Sequence, residues 1–341
     1  MKKLNFVLTV ALFLGAMMSV AATAHAGAVI ASGDLRLGIN DQGHLNFTDG
    51  ITTTVNGAGG AVGVAKKFAD GFFHDATSPG CLCEGWGAAA TNGSGIHSGS
   101  ADISSGGISN ITVDSFTSTA STATSIVHLT TLPGLSIKQE YFPSSAPGVL
   151  FQNKVTFTNT TGAAVTDLRY TRAMDWDVPP TEFSEFVTIG GLPAANVLAT
   201  SDNGFAVPNP YSGRGDLAGC GTNINFTDCG PSDHGAVFDF GFGSLADGES
   251  RSFNIYYGAA DSEADAFAAL GEVGAEVYSF GEANEFGHAS NQPYIFAFGG
   301  VGGTALPDPT PTSTVPEPHS LLLMGTGLLS MVGLRRRFIS V

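Results

Sequence analysis

Several segments of the chain alternate apolar and polar residues with the two-residue period of strands that bury one face. In residues 135–141, every second side chain, from Leu135 to Tyr141, falls on one face. Residues 149–158 and 165–174 show a similar alternation. Asn-Thr-Thr-Gly at 159–162 supplies turn residues between them, so we expect these two segments to form a hairpin. Further strand candidates are 126–132, 183–189, 235–242, 252–257 and 294–298.

One segment has a different period. Ala266, Leu270, Val273 and Val277 recur at spacings of four, three and four, which places them on one helical face. Asp261 or Ser262 can cap the start, and several glycines limit the length. We therefore expect two short helices or one broken helix within residues 261–280, on the C-terminal side of the fold.

The composition indicates an all-β fold. Glycine accounts for 46 of 341 residues, Thr and Ser are abundant, and Lys, Glu and Arg are sparse, a balance that disfavours long helices. We expect a large antiparallel β-sandwich over residues 27–303, with two sub-domains dividing near residue 131 as an alternative to a single domain.

The N-terminus has the three parts of a signal peptide. Lys2 and Lys3 precede an apolar run at 6–20, and Ala24-His25-Ala26 offers the small side chains that signal peptidase accepts. Cleavage before Gly27 follows, so residues 1–26 are expected to be removed. The alternative, a retained membrane anchor, fits less well because the run is short and ends in small residues.

The C-terminus is organised as a second targeting segment. A Pro/Thr-rich linker at 304–314 leads to the tetrapeptide Val315-Pro316-Glu317-Pro318. An apolar helix is expected at 321–334, shorter than the roughly 20 residues of an ordinary membrane span. Three arginines, Arg335, Arg336 and Arg337, would keep the terminus in the cytoplasm and the rest of the chain outside. This helix would hold the protein in the inner membrane only transiently.

The order of Pro-Glu-Pro, short apolar helix and arginine cluster over 315–341 resembles the PEP-CTERM sorting signal of Gram-negative bacteria. The resemblance implies that an exosortase, a membrane protease, cuts at or near Pro-Glu-Pro and delivers the protein to the cell surface or the exterior. Genomes with this system usually make an exopolysaccharide, which the resemblance suggests as a partner. A plain anchor that stays in the membrane is the alternative.

The charge of the exported part limits its partners. Nine basic and 29 acidic residues lie between Gly27 and Val315, a net charge of −20. Such a charge repels nucleic acid and anionic lipid, so no nucleic-acid partner is expected. It also attracts divalent cations, although acidic charge more often serves solubility alone.

Four cysteines suit an oxidising compartment. Cys220 and Cys229 bracket a short Gly/Asn/Asp loop and could close it as a disulfide. Cys81 and Cys83 are two residues apart, a spacing at which a direct bond is strained and easily reduced, so they could be free or paired elsewhere. Four cysteines allow three connectivities, and the sequence does not choose among them.

Asp175 and Asp177 are the best candidates for a site, since an extended strand end would point both carboxylates to one side and Trp176 to the other. They could bind calcium, or act as acid and base on a glycan, or simply be solvated acids beside a core Trp. Glu182 and Glu185 follow closely. The loops Asp202-Asn203-Gly204 and Asp233-His234-Gly235 could add ligands or be turns only. Trp86 and Trp176 could stack on a sugar or lie in the core.

No nucleophile elbow, phosphate loop or His-x-x-x-His spacing occurs in the sequence. Residues 79–87, 175–177 and 273–279 resemble segments of secreted bacterial proteins without an assigned activity. We expect a non-enzymatic surface or matrix protein associated with exopolysaccharide and biofilm. A carbohydrate-binding module and a glycan hydrolase on a β-sandwich are the alternatives.

Overall fold

A computed structural model of the protein describes residues 27–57 and 60–308. Strands hold 52% of the residues and helix 4%, which confirms the all-β prediction. Every strand pairing within the described residues is antiparallel. The predicted signal peptide, the apolar helix 321–334 and most of the linker lie outside these residues.

The strands, numbered in chain order, form four sheets. A four-stranded sheet has the order β1 (Gly27–Ser32), β2 (Leu35–Asn40), β3 (Val64–Lys67), β4 (Phe73–Asp75). A nine-stranded sheet has the order β14 (Phe226–Ser232), β12 (Glu185–Gly190), β17 (Val277–Glu282), β20 (Tyr294–Gly299), β16 (Ser250–Ala259), β10 (Leu150–Asn159), β9 (Leu132–Pro143), β8 (Ala123–Leu129), β7 (Ile111–Ser118). A five-stranded sheet has the order β13 (Val197–Ser201), β15 (His234–Leu245), β11 (Val165–Trp176), β5 (Glu84–Asn92), β6 (Gly95–Ala101). A small hairpin joins β18 (Asn284–Glu285) to β19 (His288–Ala289).

The nine-stranded and five-stranded sheets pack face to face through aromatic side chains. Tyr170 of β11 meets Phe253 of β16 edge to face, with ring centroids 5.0 Å apart. Phe240 of β15 lies 4.7 Å from Phe298 of β20. Such contacts between buried rings bring both large apolar area and a preferred geometry to the interface of the two sheets.

The alternation in residues 135–141 and 149–158 is confirmed by β9 and β10, whose alternate residues are buried. The expected hairpin at 159–162 is wrong. β10 pairs with β9 and β16 in one sheet, whereas β11 pairs with β5 and β15 in the other, so this turn carries the chain between the two sheets. Residue 131, the possible sub-domain boundary, lies in the turn between the paired strands β8 and β9.

One helix is present in the described part of the chain, α1 (Glu263–Glu272). The Ser262 hydroxyl accepts a hydrogen bond from the Asp265 N–H at 3.1 Å and caps its start, as expected. The helical face does not extend to Val277, which belongs to β17, because Gly274, with a φ of +65°, turns the chain between the two elements.

The C-terminal end of the described chain packs on this helix region. The Leu306 N–H donates to the Ala275 carbonyl at 2.8 Å. The Pro307 carbonyl oxygen packs so closely on Gly271 that a Cβ atom at residue 271 would lie only 2.1 Å from it. No helix in residues 27–57 and 60–308 is long and apolar enough to span a membrane.

An ion pair buried between the sheets joins Arg172 of β11 to Glu84 of β5, with Nε and Oε1 2.5 Å apart and both side chains fully buried. The guanidinium also donates to Gln139 Oε1 of β9 at 2.9 Å and to the Gly43 carbonyl at 3.1 Å. The Leu45 N–H donates to the other Glu84 oxygen at 2.6 Å. The pair therefore joins the two large sheets and the loop that follows β2.

Replacing Arg172 with Met should lower the free energy of unfolding by about 3–5 kcal/mol, because the Glu84 carboxylate would stay buried without its counter-charge. Urea denaturation measures the change. Lys138→Met is the matched control, since Lys138 pairs with Glu140 at 3.0 Å with 39% and 32% of their side chains exposed. It should cost less than about 1 kcal/mol. Equal losses in the two variants would contradict the structural role given to the buried pair.

Candidate functional site

Asp175 and Asp177 lie where β11 ends, and the backbone fixes both positions. The Asp175 N–H donates to the Cys83 carbonyl at 3.2 Å, and the Asp177 N–H donates to the Ala76 carbonyl at 2.8 Å. Between them, Trp176 points into the core, where its Nε1 donates to Ser279 Oγ at 3.1 Å. Both residues are buried, with 1% of the surface of Asp175 and 0% of that of Asp177 exposed.

Asp233 completes a group of three carboxylates that we call the carboxylate cluster. It lies in the tight connection between β14 and β15, and one oxygen from each of Asp175, Asp177 and Asp233 lies within 4.8 Å of the others. Asp233 is exposed and closes the cluster on the solvent side. In the sequence, the Asp-His-Gly turn motif indicated Asp233 as a possible ligand. It did not show that Asp233 lies beside Asp175 and Asp177.

Glu185 of β12 adds a fourth carboxylate beside the cluster. Its Oε1 accepts the His234 N–H at 2.9 Å. Glu182, the neighbouring acid in the sequence, instead accepts from the Asn56 amide at 2.9 Å. Burial is the main cause that raises the pKa of Glu185, to about 9, and the charges of Asp177 and Asp233 add to it.

Burial and the other acids of the cluster make it costly for each of these carboxyl groups to ionise. Burial raises the pKa of Asp175, and the charges of Asp177, Asp233 and Glu185 raise it further. Burial likewise raises the pKa of Asp177, with Asp233 as the largest charge contribution. Within the described chain, four buried oxygens here have no hydrogen-bond partner: Asp175 Oδ1, Asp177 Oδ1, Asp177 Oδ2 and Glu185 Oε2.

A calcium ion fits this donor set. Oxygens that share Ca²⁺ at 2.3–2.6 Å lie at most about 5 Å apart, and the three carboxylates meet that limit. All donors are oxygens, which hard cations prefer over nitrogen or sulfur. Buried carboxylates without donors are costly, and a bound cation is one of the ways in which proteins compensate them.

The loop of Asp202 has a different role. Its two oxygens accept the N–H groups of Leu217 and Ala218 at 2.6 and 2.8 Å. His234 Nδ1 lies 3.4 Å from Asp202 Oδ2, and burial lowers the pKa of this imidazole. The nearby Cys220 sulfur is bonded to Cys229, so it is no thiolate ligand. Asp202 therefore anchors the 217–218 backbone.

Both pairs of cysteines form disulfides, Cys220–Cys229 as expected and Cys81–Cys83 among the possibilities left open. The Cys81 sulfur lies 3.4 Å from Asp175 Oδ2. Because a disulfide sulfur carries no hydrogen, this contact gives the Asp175 carboxylate no donor.

Trp86 and Trp176 are fully buried. Trp86 stacks on Tyr170 with ring centroids 5.9 Å apart, and its Nε1 donates to the Gln42 carbonyl at 2.9 Å. Both indoles thus lie in the core, which was the alternative to glycan stacking, and neither offers a face to a sugar in this structure.

The predicted processing residues fall almost entirely outside the described chain. Ala24 and Ala26 precede it, and Val315, Pro316, Glu317, Pro318, Arg335, Arg336 and Arg337 follow it. Gly27, the expected first residue of the mature protein, is the first residue of β1, where it pairs with Asn40.

Comparison with protein families identifies the tail. Residues 314–337 match the family model of the PEP-CTERM protein-sorting motif. The chain is thus an exported protein of the class that an exosortase sorts at the membrane for delivery to the cell surface. The match covers the tail and assigns no activity to the β-sandwich. A search of curated proteins gave no significant match.

In EDTA, the free energy of unfolding should fall as the pH rises from about 5 to about 9. The cluster acids and Glu185 have raised pKa values in the folded protein, so the native state holds protons that the unfolded chain releases above about pH 4, and this stabilisation is lost as they ionise. Calcium should reduce the decline, because it binds the ionised cluster. At 100 times its Kd, calcium would add about 2.7 kcal/mol.

Asp177→Asn tests the assignment of this effect to the cluster. It should leave stability in EDTA at pH 8 equal or higher, since it removes a buried charge, and it should abolish the part of the calcium response that the carboxylate cluster supplies. The exposed Asp216 offers a control, because Asp216→Asn removes the same charge at the surface and should keep that response. An unaltered calcium response in Asp177→Asn, or none in the natural protein, would contradict calcium binding here.

Proposed function

We propose that the protein is a non-enzymatic component of the cell surface or extracellular matrix, associated with exopolysaccharide and biofilm, whose released β-sandwich binds calcium at the carboxylate cluster. The observation that carries the proposal is the sorting motif at residues 314–337, which sends the domain to the exterior. Calcium is abundant outside cells, and extracellular calcium modules work with Kd values of about 0.1–1 mM.

The burial of the candidate acids supports a binding role over catalysis. Glycoside cleavage needs two carboxylates that flank a sugar ring in an accessible cleft. Asp175 and Asp177 have at most 1% of their surface exposed, and oxygens of both lie within 4.8 Å of each other and of Asp233. That enclosure suits an ion better than a sugar ring.

The route to the surface uses three partners in sequence. Signal peptidase removes residues 1–26, the segment 321–334 then rests in the inner membrane, and the exosortase cuts at or near Pro316-Glu317-Pro318. The short apolar segment and its three arginines give a weak span with a fixed orientation, which suits an intermediate that is later released.

The processing step is tested by the C-terminal mass of protein collected outside the cell. In a host with an active exosortase, we expect released protein that lacks the apolar segment, and in an isogenic exosortase deletion we expect the uncut chain in the inner-membrane fraction. Pro316→Ala should strongly reduce release, whereas Pro309→Ala, a matched change outside the motif, should not. The intact hydrophobic terminus on protein in the medium would refute processing.

The proposed role of the released protein is tested by co-sedimentation with the exopolysaccharide of its host. We expect the protein to sediment with the polymer and to generate no new reducing ends. Absence of co-sedimentation with calcium present would refute the association. New reducing ends that disappear in an Asp175→Asn, Asp177→Asn double variant would replace the proposal with the glycan hydrolase alternative.

A further inference from the structure

A second group of acids lies away from the carboxylate cluster, at the edge of the nine-stranded sheet. One oxygen from each of Asp228, Glu263 and Glu282 lies within 4.8 Å of the others. The three residues come from three elements, the edge strand β14, the first turn of α1 and the end of β17. We call them the sheet-edge cluster.

An irregularity in β14 places Asp228 in this cluster. The register between β12 and β14 shifts between Val187, which pairs with Cys229, and Ile189, which pairs with Phe226. Asp228 lies in the resulting bulge with a φ of +48°, a conformation that aspartate tolerates better than most residues. Its N–H donates to Thr188 Oγ1 of β12 at 3.0 Å, which fixes the backbone there.

Glu282 is the buried member of the sheet-edge cluster. It has 1% of its surface exposed, and its Oε1 has no hydrogen-bond partner among the residues of the structure. Burial is the largest cause that raises the pKa of Glu282, to about 7, and Glu263 and Asp228 contribute their negative charges. Glu282 thus has a buried oxygen without a hydrogen-bond donor and two further carboxylates within ligand distance, an arrangement that a cation would complete.

We propose that Asp228, Glu263 and Glu282 form a second calcium site. The separation of the three oxygens is within the limit of about 5 Å for donors that share one calcium ion. The donors are all carboxylates, which favours calcium over zinc or copper.

The two sites lie at opposite faces of the nine-stranded sheet. Glu282 pairs with Phe186 of β12, whereas Glu185, the preceding residue, lies beside the carboxylate cluster. Since successive strand residues point to opposite faces, one ion would not serve both groups. The second site thus goes beyond the function proposed above.

A calcium ion in the sheet-edge cluster would fasten three elements together. β14 is bonded to the sheet only through β12, with a register shifted at two places. The ion would link β14 to β17 across β12 and hold the start of α1 against both.

Calcium titration of the full chain by isothermal calorimetry, after EDTA treatment and dialysis, tests the inference. We expect two calcium ions per chain in the natural protein and one in Glu282→Gln, which keeps the shape of the side chain. Asp177→Asn should also bind one ion, and the double variant none. Glu272→Gln is the control, because it removes an exposed acid from the same helix and should still bind two.

The outcomes separate the two sites. Equal stoichiometry in Glu282→Gln and the natural protein would overturn the second site, and a loss of one ion in Asp177→Asn would then show that the first is intact. One ion in the natural protein that is lost in Glu282→Gln and kept in Asp177→Asn would support the second site and refute the first. If Glu282→Gln fails to fold, Asp228→Asn removes a ligand at an exposed position and decides the same question.

Discussion

The buried ion pair between Arg172 and Glu84 is the interaction that positions the parts of this sandwich. Two opposite charges taken out of water are tolerated only when each is paired and its remaining hydrogen-bonding groups are satisfied. Here the partners come from both large sheets and from the loop after β2, so the pair is satisfied only when all three are docked. It thereby favours one arrangement of layers over others that would bury the same apolar residues.

The two acidic clusters contrast with that pair, because each brings three carboxylates together. Both clusters include a residue at β14, since Asp228 lies inside this strand and Asp233 directly follows it. The Cys220–Cys229 disulfide links the same strand covalently to the loop of Cys220. A strand with an irregular register at a sheet edge has few backbone hydrogen bonds to hold it. Its stability consequently depends on side chains, and the proposed calcium ions would act where those hydrogen bonds are weakest.

Local patterns in the sequence predicted local structure well. The two-residue period gave β9 and β10 with the correct buried faces, and Ser262 was a correct helix cap. The turn at 159–162 was misinterpreted because the partner strands of β10 and β11 are set by distant segments. Val277 fitted a helical spacing by coincidence. Asp175 and Asp177 were recognisable, but Asp233 and the buried Arg172–Glu84 pair required the chain to bring together residues up to 88 positions apart.

The anchoring of Leu306 on the region after α1 limits how far the folded domain can lie from its sorting motif. Six residues separate Pro307 from the start of the sorting motif at residue 314, and a fully extended chain over that stretch spans at most about 25 Å. In the proposed route, the end of the domain that carries α1 is therefore the part of the fold nearest to the cleavage site until the chain is cut. An exosortase that acts there would have to reach its motif directly beside the folded domain.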